Sequence, residues 1–190
     1  VGRSGVRAYL VHEPRLPFIS MSFRFTAGSV HDPQGREGLA RMAAGLLDEG
    51  AGSRDSEAFQ AALEDHAIRL GFNADQDAIA GNLKVLNAHR ALAVELLRDA
   101  LTAPRFDAEP VGRVRARMEA DLRRREADPS YVVSRSWFAR AFPGHAYGRP
   151  SLGTPESLAA IDASGLRDVV RRRLARAGLA IGVAGDIDAE

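Results

Sequence analysis

Residues 18–50 read FISMSFRFTA, GSVHDPQGREG and LARMAAGLLDEG, and the change of period between the first and last of these segments decides the fold class. In the first, Ile19, Met21, Phe23, Phe25 and Ala27 alternate with Phe18, Ser20, Ser22, Arg24 and Thr26, the period of a strand with one face in a core. In the last, Leu39, Met42, Ala43, Leu46 and Leu47 recur at three- and four-residue spacings. That pattern gathers them on one side of a helix, which Gly50 and Gly52 bring to an end. The middle segment is a loop rich in glycine and polar residues.

Working outward, GVRAYLVH, residues 5–12, is a second apolar run, cut off from residue 18 by the Pro14 to Pro17 turn, and the two runs read as paired strands. Asp55 or Ser53 can cap the next helix, whose stripe is Phe59, Leu63, Ala67 and Leu70 before Gly71 releases the chain. Residues 71–86 read as two short strands around a turn near Asp75–Asp77. Asn87 can cap a helix to about Leu101. After TAPRF breaks that helix, a longer one starts near Asp107 with Val111, Val114, Met118 and Leu122 on its buried side. Its other faces carry Arg113, Arg115, Arg117, Arg123, Arg124 and Arg125, offset by acids between Asp107 and Asp128, as in a solvated helix laced with weak ion pairs.

Pro129 opens a further helical stretch containing Val132, Val133, Trp137 and Phe138, followed by the loop FPGHAYGRPSLGTPESL. Leu158 and Ile161 read as packed. Ser164 to Ala177 reads as an amphipathic helix with an exposed Arg171–Arg173 run, and LAIGVAGD, 179–186, as a closing strand. This order predicts an α+β sandwich in which helices cover one face of a largely antiparallel sheet.

Composition narrows the function classes. The 190 residues suit one domain over 1–190, and 45% hydrophobic with 27% charged residues excludes a generally disordered chain. Lys plus Arg number 26 against 25 Asp plus Glu, with Lys84 the single lysine. Such a balance argues against a polyanion partner, and Arg171 to Arg173 come without the basic groove and interleaved aromatics of a nucleic-acid site. The absence of cysteine rules out disulfides, a thiolate nucleophile and Cys-based metal sites. Apolar runs fall short of the roughly 20 residues of a membrane span, so no membrane insertion is expected.

Motifs for catalysis are sparse. His12, His31, His66, His89 and His145 form no HxxH, HxH or HExxH pair. His66 reads as structural, and His145, in a glycine-bounded loop, as the most site-like. GxSxG, GxGxxG and GxxxxGK[ST] do not occur, which removes the serine-elbow, dinucleotide and P-loop chemistries.

The ordered motifs do carry a resemblance. GLARMAAGLLDEGAGSRDSEAF (38–59), LGFNADQDAIAGNLKVL, DPSYVVSR, HAYGRPSLGT and the closing VAGDID together resemble the N-terminal domain of the pitrilysin/insulinase (M16) zinc peptidases, over essentially the whole chain. That resemblance implies the LuxS/mitochondrial-processing-peptidase-like fold of the metalloenzymes and a second homologous domain beyond the VAGDID strand. The family's inverted zinc motif, HxxEH, falls on Arg41-Met42-Ala43-Ala44-Gly45. Histidines four apart on a helix face one way and hold zinc while the Glu activates its water. Here Arg41 and Gly45 stand at the histidine positions and Ala44 at the base.

The family's downstream ligand carboxylate corresponds best to Glu119, with Gly112 where a supporting acid is expected, and Arg41 either pairs with Glu119 or leaves it at the surface. The resemblance therefore implies a metal-less, noncatalytic subunit with no cofactor of its own. It would share peptide substrate with an HxxEH-bearing partner subunit that carries the zinc, in the periplasm or alternatively the cytoplasm. The same fold serving as a structural protein-interaction module is the alternative.

Overall fold

The computed structural model describes residues 6–188. Its strands are β1 (Arg7–His12), β2 (Phe18–Phe25), β3 (Arg69–Ala74), β4 (Ile79–Leu86) and β5 (Leu179–Gly185), joined in one sheet of order β1-β5-β2-β4-β3. All neighbours are antiparallel except β1 and β5, which run parallel. The helices are α1 (Leu39–Ala44), α2 (Ser56–Asp65), α3 (Arg90–Thr102), α4 (Ala108–Glu126), α5 (Pro129–Ala141), α6 (Pro155–Ala159) and α7 (Ala163–Arg173).

The alternation in β2 is realised: Ile19, Phe23 and Phe25 are buried, while Ser22 and Arg24 face water. β4 repeats it, with Ile79, Leu83 and Val85 inside and Asn82, Lys84 and Leu86 outside. Leu39 and Met42 of α1, Phe59 of α2, Leu96 of α3 and Leu166 and Val169 of α7 join those strand residues in one core. Fully burying such a side chain contributes about 1.5–3 kcal/mol, so the helix-covered face of the sheet is where the fold's stability resides. Gly81 sits under Phe23, where a Cβ would come within 2.4 Å of the ring. The α+β class and the helix-covered sheet therefore agree with the sequence reading.

Several local expectations give way to tertiary structure. β1 and β2 do not pair, because β5 lies between them, with Leu10 opposite Val183 and Met21 opposite the same residue from the other side. β5 is the more apolar strand and takes the inner place with partners on both edges, while every residue of β1 is exposed at the sheet margin. The helix from Leu39 ends at Ala44 rather than near Gly50. Gly45 keeps the Arg41 carbonyl, but the Leu46 N–H moves to the Ala43 carbonyl at 3.0 Å, so the chain tightens into turns that still bury Leu46 and Leu47.

Asp55, not Ser53, caps α2, accepting from the Ala58 N–H at 2.9 Å. Asn87 does not cap α3: its Nδ2 donates to the carbonyl and the carboxylate of Asp186, tying the start of that helix to the end of β5. On α4, Arg115 is not a solvated residue, because its guanidinium donates to the carbonyls of Leu158 and Ile161 at the end of α6. α5 forms as expected but buries none of its residues. α7 stops at Arg173, four residues short of Ala177, and Arg173 is not part of an exposed run but turns inward.

Candidate functional site

The site begins where the loop after β2 enters α1. Asp32 is buried beneath this entry, and its carboxylate accepts the N–H groups of Gly38 at 3.1 Å and Ala40 at 3.1 Å. Gly38 adopts φ 93°, a left-handed conformation that suits glycine and lets the chain turn into the helix. Arg173 supplies the opposite charge, Nη1 to Asp32 Oδ1 at 2.7 Å. Burial pushes the Asp32 carboxyl up, and the Arg173 guanidinium and the two backbone donors oppose that rise. Arg149, from the loop after α5, donates to the carbonyls of Asp32 and Val30 at 2.6 and 3.0 Å. Two arginines from distant parts of the chain thus clamp the loop that aims α1.

α1 buries Leu39, Ala40, Met42, Ala43 and Ala44, which leaves Arg41 and Gly45 on its one partly open face. Those two are an i, i+4 pair still joined by the Gly45 N–H to Arg41 carbonyl bond of 3.0 Å. They open onto a cavity of about 480 Å³ between α1, the end of β3 (Phe72, Asn73 and Ala74) and α4. A second cavity of about 340 Å³ adjoins it, sharing Arg41 and Ala74 and reaching Tyr131, Tyr147 and Arg149.

Opposite Arg41 stands Asp121, not Glu119. Arg41 Nη2 lies 4.0 Å from Asp121 Oδ2, and the same carboxylate also meets Arg125 Nε at 2.9 Å and Arg124 Nη2 at 3.3 Å. Arg125, then Arg41 and Arg124, hold the Asp121 carboxyl below its ordinary value. Helical geometry explains the choice. Val114, Met118 and Asp121 share the face of α4 that lines the cavity, whereas Glu119 is turned about 100° from Met118, is absent from the lining and makes no ion pair among the described residues. Gly112 lies exposed on α4 with nothing within 4 Å of a would-be Cβ.

The sequence reading missed Asp121 and the neighbouring Arg117; the three- and four-residue spacing from Val114 is the signal that finds both. His66 is structural, its Nδ1 3.0 Å from the Ala62 carbonyl and its ring edge-on to His89. His145 accepts the Tyr147 N–H through Nδ1 and so caps a turn.

Zinc does not fit these residues. At the positions that the family resemblance implies for the metal, Arg41 brings a fixed positive charge, Gly45 has no donor and Ala44 has no proton acceptor, and Asp121 already serves three guanidinium groups. Among the described residues no group of three or more His, Cys, Asp or Glu is arranged to hold a metal ion. Nor, among them, is any helix long and apolar enough to cross a membrane.

Comparison with known proteins agrees with this architecture. The chain is 26% identical over 170 residues to the non-peptidase homolog YmxG of Helicobacter pylori, covering 90% of this chain and 39% of that protein. It is 20% identical over 185 residues to the uncharacterized zinc protease YmxG of Bacillus subtilis, covering 97% of this chain and 45% of that one. The chain thus spans less than half the length of these relatives. Among solved structures, the inactive domain of a peptidase M16 from Pseudomonas fluorescens superposes with a TM-score of 0.92 at 24% identity, over 98% of this chain and 45% of that one. That likeness is one of fold. The family model described as Insulinase (Peptidase family M16) matches residues 7–155, and the chain belongs to that family.

Proposed function

We propose that this domain is the noncatalytic member of a peptidase assembly, binding peptide beside an HxxEH-bearing family subunit that carries the zinc and performs the hydrolysis. The observation that carries the reading is Arg41 itself, opposite Asp121 and above an open cavity, at the position where the family resemblance implies a histidine ligand. A domain that keeps the cleft and loses the metal-binding chemistry retains binding without cleavage. β3 favours an extended ligand: it is an edge strand whose last residues line the cavity, so its free backbone groups can pair with a peptide. Two of the similar proteins, a non-peptidase homolog and an inactive peptidase domain, support the same reading. We propose a periplasmic location on the family resemblance, which fractionation tests.

A second reading, a structural interaction module on the same fold, draws on α5, where Val132, Val133 and Trp137 are exposed together. Affinity purification from native extract with identification of companions separates the two. A near-equimolar HxxEH-bearing homologue, with chelator-sensitive hydrolysis by the pair and none by this chain alone, is the result expected. A different stable complex with no peptidase subunit transfers the reading to the interaction module.

A further inference from the structure

We infer that the cleft between α1, β3 and α4 selects acidic peptide segments, with Arg41 and Arg117 as the groups that receive their carboxylates. The inference rests on the peptide-binding reading above and adds a ligand class to it.

The two adjoining cavities are lined by Arg41, Arg117, Arg124, Arg135 and Arg149, while Asp75 and Asp121 are the acids among their lining residues. The whole chain has a formal net charge of only +1, so this excess is local. The arginines are not equivalent. Arg149 is engaged with two backbone carbonyls and approaches Glu37 at 4.0 Å, and Arg135 approaches Glu126 at 3.8 Å. Arg124 shares Asp121 with Arg125 and Arg41, so three guanidinium groups face one carboxylate. At 4.0 Å, Arg41 holds the loosest of those contacts. Arg117 makes no ion pair among the described residues; Asp48 is the acid that feels its charge.

Arg41 and Arg117 thus leave guanidinium capacity unspent on opposite walls of one cleft. A planar guanidinium offers paired N–H donors that match a carboxylate in a bidentate arrangement, and its charge persists at all physiological pH values. Charge of this kind in a partly enclosed cleft raises the local concentration of an anionic ligand and excludes a cationic one. In the family resemblance the same helix face holds a metal cation. In this chain a fixed organic cation occupies that face, and it recognises negative side chains of the peptide rather than polarising its backbone.

The test is fluorescence-anisotropy titration of the chain with labelled peptides of equal length rich in Glu, Gln or Lys, at low and raised NaCl. We expect the Glu-rich peptide to bind at least about tenfold more tightly than the Gln-rich one, with that advantage shrinking as salt rises and with the Lys-rich one weakest. Arg41→Gln and Arg117→Gln should each weaken Glu-rich binding several-fold while Arg171→Gln, on exposed α7 surface, does not. Thermal melts of each variant confirm folding. Charge reversal in Arg117→Glu should invert the preference between Glu- and Lys-rich peptides. Equal binding of Gln- and Glu-rich peptides, unchanged in the arginine variants, overturns the acidic preference and leaves the peptide-binding reading intact. Failure of all three peptides to bind overturns both. Displacement of the Glu-rich peptide by free glutamate at matched carboxylate concentration overturns the peptide assignment in favour of a small-anion site.

Discussion

Arg173 Nη1 and Asp32 Oδ1 meet at 2.7 Å although 141 positions separate them in the chain, and their side chains are only 14% and 1% exposed. The contact joins the last turn of α7 to the loop that launches α1, so the orientation of the helix bearing Arg41 depends on a residue far from it. Arg173→Met leaves the Asp32 carboxylate buried without its cation. A loss of about 3–5 kcal/mol follows from such one-sided removal. Urea unfolding at pH 7 measures it, and a double-mutant cycle with Asp32→Asn separates the pair from the cap that Asp32 forms on α1.

Asp48, in the turn after α1, has its carboxyl pushed up to about 6 by burial, with the neighbouring Glu49 charge adding to the rise. In the unfolded chain the same group titrates near ~3.9. Because the folded value is the higher one, the group's contribution to stability is complete below about pH 4 and is lost as pH rises through about 6. Asp48→Asn is therefore expected to stabilise the protein by about 1–2 kcal/mol at pH 8 and to leave it unchanged at pH 4, read from unfolding curves at the two pH values.

Gly45 has room for a side chain. A Cβ there would meet the Arg41 carbonyl at 3.5 Å and both Arg117 Nη2 and Val114 Cγ1 at 3.6 Å, ordinary contacts in which the flexible Arg117 side chain must make way for a longer residue, and its φ of −73° suits any residue. Arg41→His with Gly45→His puts two imidazoles on the open face of α1, opposite Asp121. We expect this double variant to retain about one zinc per chain after gel filtration, measured by elemental analysis, where the parent retains none. Ala44→Glu, added to it, places a carboxyl at a position that is 1% exposed and should lower the melting temperature. No zinc in the double variant would show that Asp121, still paired with Arg124 and Arg125, does not release a ligand oxygen.

Trp137 is the single tryptophan of the chain and is 58% exposed on α5, edge-on to Phe138 and Phe142. Its emission should be red-shifted and readily quenched by acrylamide in the isolated chain. Trp137→Ser should change the unfolding free energy by no more than about 0.5–1 kcal/mol, since little apolar area leaves water there. A partner that docks on α5 would shift the emission to the blue, and a partner that docks elsewhere would not.

The parts of this fold written in local periodicity were readable without coordinates. The alternation of β2, Phe59 and Leu63 on α2 and the Val111, Val114, Leu122 side of α4 bury what their spacing says they bury, but α2 stops at Asp65, so Ala67 lies exposed in a left-handed turn (φ 50°) and Leu70 falls in β3 instead of extending the stripe. What local pattern does not encode is which elements become neighbours. β1 and β2 looked like a pair because they are adjacent in sequence, yet the sheet joins each of them to β5. Asn87 has the chemistry of a cap and spends it on Asp186, and Arg173 sits in a basic run yet finds a buried carboxylate. At the candidate site, the family resemblance picked out Arg41 and Gly45, which the structure places together on the open face of α1. The residue facing them could not be fixed by counting along the chain, because a shift of two positions on α4 separates Glu119 from Asp121 and moves the carboxylate to another face.

The parallel pairing of Arg7–His12 with Ala180–Gly185 has a consequence for how the protein is made. During synthesis, the first strand emerges from the ribosome long before the strand that will flank it, and β2 meanwhile has only β4 to pair with. Until residues 179–185 arrive, two edges that belong to the sheet's interior stay open, the circumstance in which nascent chains recruit chaperones or pair with one another. Completion of the fold is thus a late event that closes a long loop, and folding should be slow for a chain of this length.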